Sequence, residues 1–350
     1  SGSLTITDLN DTLTTISATG STGKNILDGF GTTDATITGG SGDDTFKMGV
    51  TLTKADTVDG GAGSDTLVVN NTGGAAMTVM PASASVSNME TLRIEATDDS
   101  GADAFTLDAS IASFDNIIID ASDENDTYTF TKITDENISI TESLNDAVAL
   151  VDVSLSDATG SADSLTLTVT NADAATALTV TDINSTGGGI ETLNLVLNQG
   201  KDIAAASDII IADVSSTHSG GVVVTGAADF TIGSGTAFAN KSLDASAATG
   251  DVTATIGAAV STIKTGSGAD TITFAANALT SADTIDGGAG ADTLVMGAVA
   301  GGNHNPTITG VETITIDVEN ASTQLNLSKT TGATSLTVLA VSDEAPVFNN

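Results

Sequence analysis

Cysteine is absent from this chain of 350 residues, so neither a disulfide framework nor a thiolate metal site can stabilise it. No apolar run approaches the ~20 residues that a transmembrane helix requires. The chain opens on Ser1-Gly2-Ser3 without a signal peptide, which we interpret as an interior fragment or the remnant of a tag. We expect an export signal to lie outside this sequence, or the export route to use no cleaved N-terminal signal.

Aromatic residues are also scarce. They make up 3% of the chain, with no Trp and a single tyrosine, Tyr128, while Thr, Ser, Ala, Gly, Asp and Val dominate. This composition predicts thin, stacked β-coils filled by small β-branched side chains, between which bulky rings would not fit. A hydrophobic fraction of 40% argues against disorder.

Basic residues are few: 9 Lys and Arg stand against 45 Asp and Glu, which gives a formal net charge of −36. DNA, RNA and anionic membrane surfaces would repel so acidic a chain, and nucleic acid is therefore excluded as a partner. Solubility or adaptation to salt could account for the charge. Self-repulsion would nevertheless destabilise the compact state, so we favour cations bound among the carboxylates.

The common catalytic motifs are missing as well. The chain has no His-Glu-x-x-His, no Gly-x-Ser-x-Gly, and only two histidines, His218 and His304. Residues 20–25 hint at a phosphate-binding loop but lack its first glycine and the Ser or Thr after the lysine, which favours a turn. The acidic run 120–126 begins like a helix-loop-helix calcium loop but lacks the sharp-turn glycine and the final glutamate, which favours a solvated loop. We predict that the chain is not an enzyme.

A nonapeptide of the form Gly-Gly-x-Gly-x-Asp-x-(large apolar)-x is present instead. It is complete at residues 39–46, 60–67 and 287–294, and it departs only at the first glycine in residues 265–272. Half-motifs around Asp56 and Asp283 keep the aspartate and the apolar residue but have lost the glycines. Each lies nine residues before the aspartate of the following motif. A single Gly-Asp stretch would indicate a surface turn, but matched pairs favour a repeat.

Each position of the motif has a physical role. Glycines let the turn adopt positive φ and aim its carbonyls inward, the aspartate supplies a negative ligand, and the apolar residue starts a strand. Hard oxygen ligands of this kind suit calcium. The candidate metal-site residues are Gly39, Gly40, Gly42, Asp44, Asp56, Asp59, Gly60, Gly61, Gly63, Asp65, Thr265, Gly266, Gly268, Asp270, Asp283, Asp286, Gly287, Gly288, Gly290 and Asp292.

The spacing of the aspartates pairs the motifs. Asp44 and Asp65 are 21 residues apart, and Asp270 and Asp292 are 22 apart. This spacing predicts a coil of two nine-residue halves with a bulge of three or four residues. We therefore pair Asp44 with Asp65, and Asp270 with Asp292, across consecutive coils that share an ion.

A longer repeat is marked by a Glu-Thr strand signature. It occurs at residues 88–94, 189–195 and 310–316. It predicts three solenoid modules, over residues 1–96, 97–197 and 198–350. The middle module has only eroded calcium turns, at residues 101–105 and 160–165, and we expect apolar stacking alone to hold its coils.

The nonapeptides resemble those of RTX, or hemolysin-type, calcium-binding proteins. With the threonine-rich Glu-Thr signature, the chain is most similar to bacterial surface-layer proteins exported by type I secretion. The resemblance implies an all-β, right-handed parallel β-helix (β-solenoid) with RTX-type calcium-binding coils, folding on calcium outside the cell, and self-assembly into a lattice. By this resemblance the ligands would be Asp44, Asp65, Asp270 and Asp292 with adjoining glycine-turn carbonyls. RTX blocks usually run uninterrupted, whereas these occur in twos, so we expect calcium at residues 28–70 and 261–297.

The predicted function is that of a structural calcium-binding protein of an extracellular surface layer. Its expected partners are calcium ions, further copies of the chain and, as a candidate, cell-surface polysaccharide. The alternative is a secreted RTX adhesin, or a virion-surface or receptor-binding protein, that uses the solenoid as a stalk. A third reading is the accessory region of a larger exoenzyme. Motifs do not separate lattice from adhesin, because exposed edge strands and loops decide assembly.

Overall fold

Short parallel strands stacked coil on coil make up the computed structural model of the chain. The structure describes residues 3–7, 9, 12–30, 33–48, 52–53, 55–71, 77–78, 85–96, 103–121, 126–142, 147–172, 176–185, 189–199, 209–216, 218–297, 302–318, 323–341 and 347–349. No helix among them is long and apolar enough to cross a membrane. The chain forms two compact units, the first comprising Ser1–Thr159 with Ser185–Gly188 and the second Gly160–Asn184 with Gly189–Asn350.

The first unit is built from three parallel sheets. Its strands are β1 (Leu4–Ile6), β2 (Thr15–Ser17), β3 (Asn25–Leu27), β4 (Thr36–Thr38), β5 (Thr45–Lys47), β6 (Thr57–Asp59), β7 (Thr66–Asn71), β8 (Met77–Thr78), β9 (Ser85–Ser87), β10 (Thr91–Ala96), β11 (Ala104–Asp108), β12 (Asn116–Ala121), β13 (Asp126–Ile133), β14 (Asn137–Glu142) and β15 (Ala147–Leu155). A 3-10 turn follows β11 at Ala109–Ile111. The strand orders are β1-β3-β5-β7-β10-β12-β14, β2-β4-β6-β9 and β8-β11-β13-β15.

The second unit repeats this plan. Its strands are β16 (Ser164–Asn171), β17 (Leu178–Asn184), β18 (Thr192–Gln199), β19 (Ile209–Val214), β20 (Gly221–Gly226), β21 (Phe230–Ile232), β22 (Ser242–Ala248), β23 (Val252–Ile256), β24 (Thr262–Lys264), β25 (Thr271–Phe274), β26 (Thr284–Asp286), β27 (Thr293–Met296), β28 (Gly302–His304), β29 (Thr307–Thr309), β30 (Thr313–Val318), β31 (Thr323–Asn326), β32 (Ser335–Val341) and β33 (Val347–Asn349). The orders are β16-β18-β20-β22-β24-β26-β29, β17-β19-β21-β23-β25-β27-β30-β32 and β28-β31-β33.

Alternating sequences form most of these strands because one face of the strand is buried and the other faces outward. In β16, for example, Leu165, Leu167 and Val169 are buried, while Ser164 and Thr166 are exposed. The β-branched threonines suit the pleated outer surface and the leucines and valines fill the coil. Parallel pairing in register then stacks like on like from one coil to the next.

Apolar columns form the core of the coils. Leu67 pairs with Leu92, Leu92 with Ile117, and Ile117 with Ile138, each in a successive coil. All four side chains are 0–1% exposed. At about 25 cal/mol for each Å² of apolar surface buried, such columns provide the main stabilisation of the stack.

Aromatic rings do fit inside the coils, contrary to the expectation from composition. Phe105 stacks on Tyr128 with ring centroids 5.1 Å apart, and Tyr128 stacks on Phe130 at 6.5 Å. All three rings are 0–1% exposed. The Tyr128 hydroxyl donates to Asp126 Oδ2 at 3.1 Å, which satisfies its polar end in the interior.

The structure confirms an all-β parallel β-solenoid. The length of a coil varies widely: 18 residues separate Val252 from Asp270, which contact each other across one coil, and 28 separate Asp163 from Glu191. An 18-residue coil is the two-times-nine unit expected from the motif, and longer coils carry extra residues in their connections. The division into three modules remains a prediction.

Replacing Phe130 with alanine should destabilise the first unit strongly, because the ring is fully buried and stacked. We expect a loss of about 3–5 kcal/mol. The control is Leu13→Ala in the same unit, whose side chain is 43% exposed and should change stability by only about 0.5 kcal/mol. Urea unfolding followed by circular dichroism measures both, and equal midpoints would contradict the assigned core.

Candidate calcium-binding turns

The motif aspartates, at the sixth position of each nonapeptide, lie immediately before strands that pair in register. Asp44 precedes β5 and Asp65 precedes β7, and Thr45 pairs with Thr66. The Asp44 main-chain N–H donates to Asp65 Oδ1 at 2.7 Å. The carboxylate of one coil is thus fixed by the backbone of the coil before it, and the structure brings Asp44 and Asp65 together as the spacing predicted.

The second unit holds its motif aspartates in the same way. Asp270 precedes β25 and Asp292 precedes β27. Val252 N–H donates to Asp270 Oδ1 at 2.8 Å, and Asp270 N–H donates to Asp292 Oδ1 at 2.9 Å. We call a succession of carboxylates along one sheet, each accepting a main-chain N–H of the preceding coil, a carboxylate column.

Of the two half-motif aspartates, the side chain of Asp56 joins neighbouring coils, whereas that of Asp283 bonds within its own turn. Asp56 precedes β6, a strand of a different sheet from β5 and β7. Its Oδ1 accepts Ala35 N–H at 2.8 Å and its Oδ2 accepts Thr53 N–H at 2.6 Å. Asp283 Oδ2 accepts the N–H of Thr280. A ligand role for these two aspartates remains a prediction.

Positive φ accounts for only some of the motif glycines. Gly61 and Gly63 have φ of +99° and +138°, and the equivalent Gly288 and Gly290 have +82° and +146°. Only glycine adopts such angles without strain. The glycines of the first motif of each pair have no positive φ, so another constraint must account for them.

In the first motif of each pair, close approach of the preceding coil requires glycine instead. A Cβ built on Gly40 would lie 2.4 Å from Ser21 O, and one on Gly266 would lie 2.0 Å from Ala248 O. Gly42 and Gly268 are equally crowded by residues 23 and 250. Any side chain at these positions would push the coils apart.

Main-chain hydrogen bonds stack the turns themselves. Ala62 N–H donates to Gly40 O at 3.0 Å, and Ala289 N–H donates to Gly266 O at 2.8 Å. Thr265, which replaces the first glycine of its motif, donates its hydroxyl to Gly287 O at 2.8 Å. This bond explains how the departure from the motif is tolerated.

Two further predicted acids brace the turns from within. Asp59 Oδ1 accepts Gly61 N–H at 3.1 Å, and Asp286 Oδ1 accepts Gly288 N–H at 3.3 Å. Both side chains are half-buried. They hold the second glycine of the motif in place, and direct ligation by them remains a prediction.

Open carboxylate oxygens remain in the column. Oδ2 of Asp65, Asp270 and Asp292 is buried and has no partner at hydrogen-bonding distance among the described residues. Asp44 differs, because its Oδ1 accepts from Asn25 and its Oδ2 accepts Gly40 N–H at 2.7 Å. An unpaired buried carboxylate oxygen is costly, and a hard cation is its natural partner.

The pKa values of the aspartates with an open oxygen are raised, because an ionised carboxylate is costly to bury. Burial, together with the nearby carboxylates of Asp44 and Glu90, raises the pKa of Asp65 to about 6. Burial raises the pKa of Asp292 to about 6 as well, together with the charges of Asp270 and Glu312. The pKa of Asp270 is also raised by burial. Bound calcium would favour the ionised forms.

Main-chain oxygens of the glycine turns are available as further ligands for such an ion. Within the described ranges, no three His, Cys, Asp or Glu side chains cluster closely enough to hold a metal. The residues present fit calcium in this respect, because the glycine turns bring carbonyls beside the aspartates. A Cβ built on Gly39 would lie 2.0 Å from Gly60 O and 2.8 Å from Asp44 Oδ2.

The glutamates of the Glu-Thr signature join the carboxylate column, which the sequence did not indicate. Asp65 N–H donates to Glu90 Oε2 at 2.6 Å, and Asp292 N–H donates to Glu312 Oε2 at 2.8 Å. The three copies of the signature in the sequence indicated that these glutamates have a shared role. That role could not be deduced without the register of the strands, which places each glutamate one coil after its aspartate.

Carboxylate columns also occur in coils that have no complete motif, at the start of strands in a different sheet of each unit. Apolar stacking is therefore not the sole interaction between those coils. In the eroded turns, Asp103 N–H donates to Asp126 Oδ1 at 2.8 Å, and Asp163 N–H donates to Glu191 Oε2 at 2.8 Å. Asp126, from the acidic run once expected to be solvated, is 1% exposed; residues 122–125 of that run lie outside the described residues.

The two histidines contact main-chain carbonyls of neighbouring coils. His218 Nδ1 lies 2.9 Å from Ile190 O, and His304 Nδ1 lies 3.0 Å from Leu279 O. Burial lowers the pKa of His218, which favours its neutral form. In the loop that resembles a phosphate-binding motif, Asn25 donates to Asp44 and so belongs to the column.

Substituting Gly61 with alanine should disrupt its turn, because φ is +99° and the new Cβ would lie 2.2 Å from Gly40 O. We expect a cost of about 1–3 kcal/mol and weaker calcium binding. Gly20→Ala is the matched control, since nothing lies within 4 Å of its Cβ position. Thermal melts and calcium titration calorimetry compare the stability and calcium affinity of the two variants. Equal values for both variants would contradict the close approach of the coils at Gly61.

Asp65→Asn combined with Asp292→Asn should stabilise the calcium-free protein at pH 7.5. The raised pKa of a buried aspartate means that its stability contribution is full below 3.8 and is lost as the pH rises through about 6. The advantage of the variant should therefore vanish near pH 4, and the common His218 cancels in the difference. Melting temperatures across this range test the prediction, which fails if the wild type is the more stable at pH 7.5 without calcium.

A match to a protein-family model supports the interpretation of these turns as calcium-binding repeats. The RTX calcium-binding nonapeptide repeat (4 copies) matches residues 51–71 and 276–298. Each match contains the second motif of a pair and the half-motif before it, whereas the first motifs lie outside it. No curated protein and no solved structure matches the chain significantly. The chain therefore carries RTX-type calcium-binding repeats, which are stacked in register within a parallel β-solenoid.

Proposed function

We propose that this chain is a structural component of a bacterial surface layer, ordered by calcium outside the cell and assembled side by side into a lattice. The observation that carries the proposal is the open, buried Oδ2 of Asp65 in the first unit and of Asp292 in the second. In each unit, this oxygen is one that a bound calcium ion could coordinate. A scaffold that depends on external calcium fits this arrangement.

The residues of the column provide the calcium dependence. Bound calcium supplies positive charge and accepts hard oxygen ligands. Asp65, Asp270 and Asp292 would offer their open oxygens, and the neighbouring glycine turns their carbonyls. When the calcium concentration is low, these acids repel one another within coils of little basic charge. Extracellular modules bind calcium at ~10⁻⁴ to 10⁻³ M, so the sites would fill outside the cell but not in the cytoplasm.

Columns of threonine support lateral assembly. Thr262 pairs with Thr284 and Thr284 with Thr307, so that one threonine follows another on the outward face of successive coils. A second column joins Thr271, Thr293 and Thr313. The threonine side chains themselves carry no charge, so a chain of net charge −36 could pack against its own copies along these columns. The resemblance to RTX surface-layer proteins points to the same role.

Calcium addition to the purified chain should raise its melting temperature and produce ordered sheets. At a hundred times the dissociation constant, one site contributes about 2.7 kcal/mol of stability. Circular dichroism and negative-stain microscopy follow both events, with magnesium and with the Asp65→Asn and Asp292→Asn variant as controls. An unchanged melt on chelation would contradict calcium-coupled folding. Calcium-stabilised particles that stay monomeric would contradict the lattice and favour the adhesin.

A further inference from the structure

The Glu-Thr signature has the same local geometry in all three copies. Two residues before the glutamate, the backbone is left-handed: φ is +52° at Asn88, +90° at Gly189 and +61° at Gly310. The residue between is buried in each copy, as Met89, Ile190 and Val311. The glutamate then accepts the main-chain N–H of the aspartate one coil earlier, namely Asp65, Asp163 or Asp292. The signature is therefore a structural unit, which we call the glutamate cap.

In the first unit, the glutamate cap presents a carbonyl where the next nonapeptide would present one. A Cβ built on Gly60 would lie 1.9 Å from Asn88 O and 2.6 Å from Asp65 Oδ2. One coil earlier, the same construction on Gly39 gives 2.0 Å to Gly60 O and 2.8 Å to Asp44 Oδ2. Asn88 thus stands in relation to Asp65 as Gly60 does to Asp44.

The second unit repeats the arrangement. A Cβ built on Gly287 would lie 2.1 Å from Gly310 O and 3.0 Å from Asp292 Cβ. Asp292 is 1% exposed and Asp65 is 0% exposed, and both have an unpartnered Oδ2. Each pair of nonapeptides therefore ends on a buried open carboxylate oxygen beside the left-handed residue of a glutamate cap.

The middle copy of the cap lacks this combination. Glu191 follows the eroded turn of Asp163, which is only half-buried. Asp163 Oδ2 accepts Gly160 N–H at 3.0 Å, so that oxygen already has a partner. The same backbone geometry is present there without an open buried oxygen, which provides a natural control.

We propose that the outermost calcium of each RTX pair binds between the last nonapeptide and the glutamate cap. Asp65 Oδ2 and Asn88 O would be ligands in the first unit, and Asp292 Oδ2 and Gly310 O in the second. Glu90 and Glu312 are positioning residues, because each holds the main chain of the motif aspartate in place. A motif outside the nonapeptide repeat thus completes a calcium site. The inference depends on calcium binding by the repeats and not on assembly into a lattice.

The test uses three variants of the full chain: Glu90→Ala with Glu312→Ala, Glu90→Gln with Glu312→Gln, and Glu191→Ala alone. Calorimetry measures the number of calcium ions bound and their affinity. Thermal melts with calcium and with chelator measure how far calcium raises the melting temperature. Loss of an outer-shell partner typically weakens metal binding 10–100-fold, which we expect at two sites in the alanine pair. The glutamine pair keeps an oxygen acceptor for the aspartate N–H, so its affinity should lie between those of the wild type and the alanine pair.

Glu191→Ala should lower the melting temperature equally with calcium and with chelator, and it should leave the calcium isotherm unchanged. This result is expected of a cap that is purely structural. The inference is overturned if the alanine pair retains the wild-type isotherm and the wild-type rise in melting temperature on adding calcium. It is also overturned if the glutamine pair binds calcium no more tightly than the alanine pair. Should the alanine pair not fold, the glutamine pair decides alone: an isotherm identical to wild type is then the contradicting result. A wild-type chain that binds no calcium would instead refute the calcium premise of the proposed function itself.

Discussion

The hydrogen bond from the main-chain N–H of one coil to the carboxylate of the next is the interaction on which the calcium-binding turns depend. It fixes one oxygen of each motif aspartate at 2.7–2.9 Å, as in Asp65 and Asp292. The second oxygen is then buried with no freedom to turn towards water. Backbone geometry thus creates the demand for a cation, because a charged carboxylate in this position cannot be solvated.

Lys and Arg residues do not meet that demand. Among the described residues, the ion pairs of Lys132 with Asp108 and of Lys264 with Asp244 lie on exposed surfaces. Exposed pairs of this kind contribute little. Where no cation is needed, a neutral side chain takes the place of the acid: Asn240 Oδ1 accepts His218 N–H at 2.6 Å, and its Nδ2 donates to Ser216 O at 3.0 Å. The same kind of contact between coils therefore occurs with and without a charged acceptor.

Much of this architecture could be predicted from the sequence, because β-solenoids repeat and repeats are visible. The nonapeptides gave the parallel coils, and the spacing of Asp44 from Asp65 gave their pairing. Two kinds of information could not be obtained in this way. The reason for glycine at residues 40 and 266 is the distance to the preceding coil, which depends on three-dimensional packing. The role of Glu90 requires knowing that it stands one coil from Asp65, although 25 residues separate them.

The buried carboxylates of the column all point the same way along the chain. In each pair the N–H belongs to the earlier coil and the carboxylate to the later one, as from Asp44 to Asp65 and from Asp65 to Glu90. The main-chain N–H of each motif aspartate is thereby bonded by an acidic side chain of the coil that follows it. Growth of the stack is polar in consequence: a coil added at the C-terminal side satisfies an existing donor, whereas one added at the N-terminal side presents a new donor to an acceptor already in place.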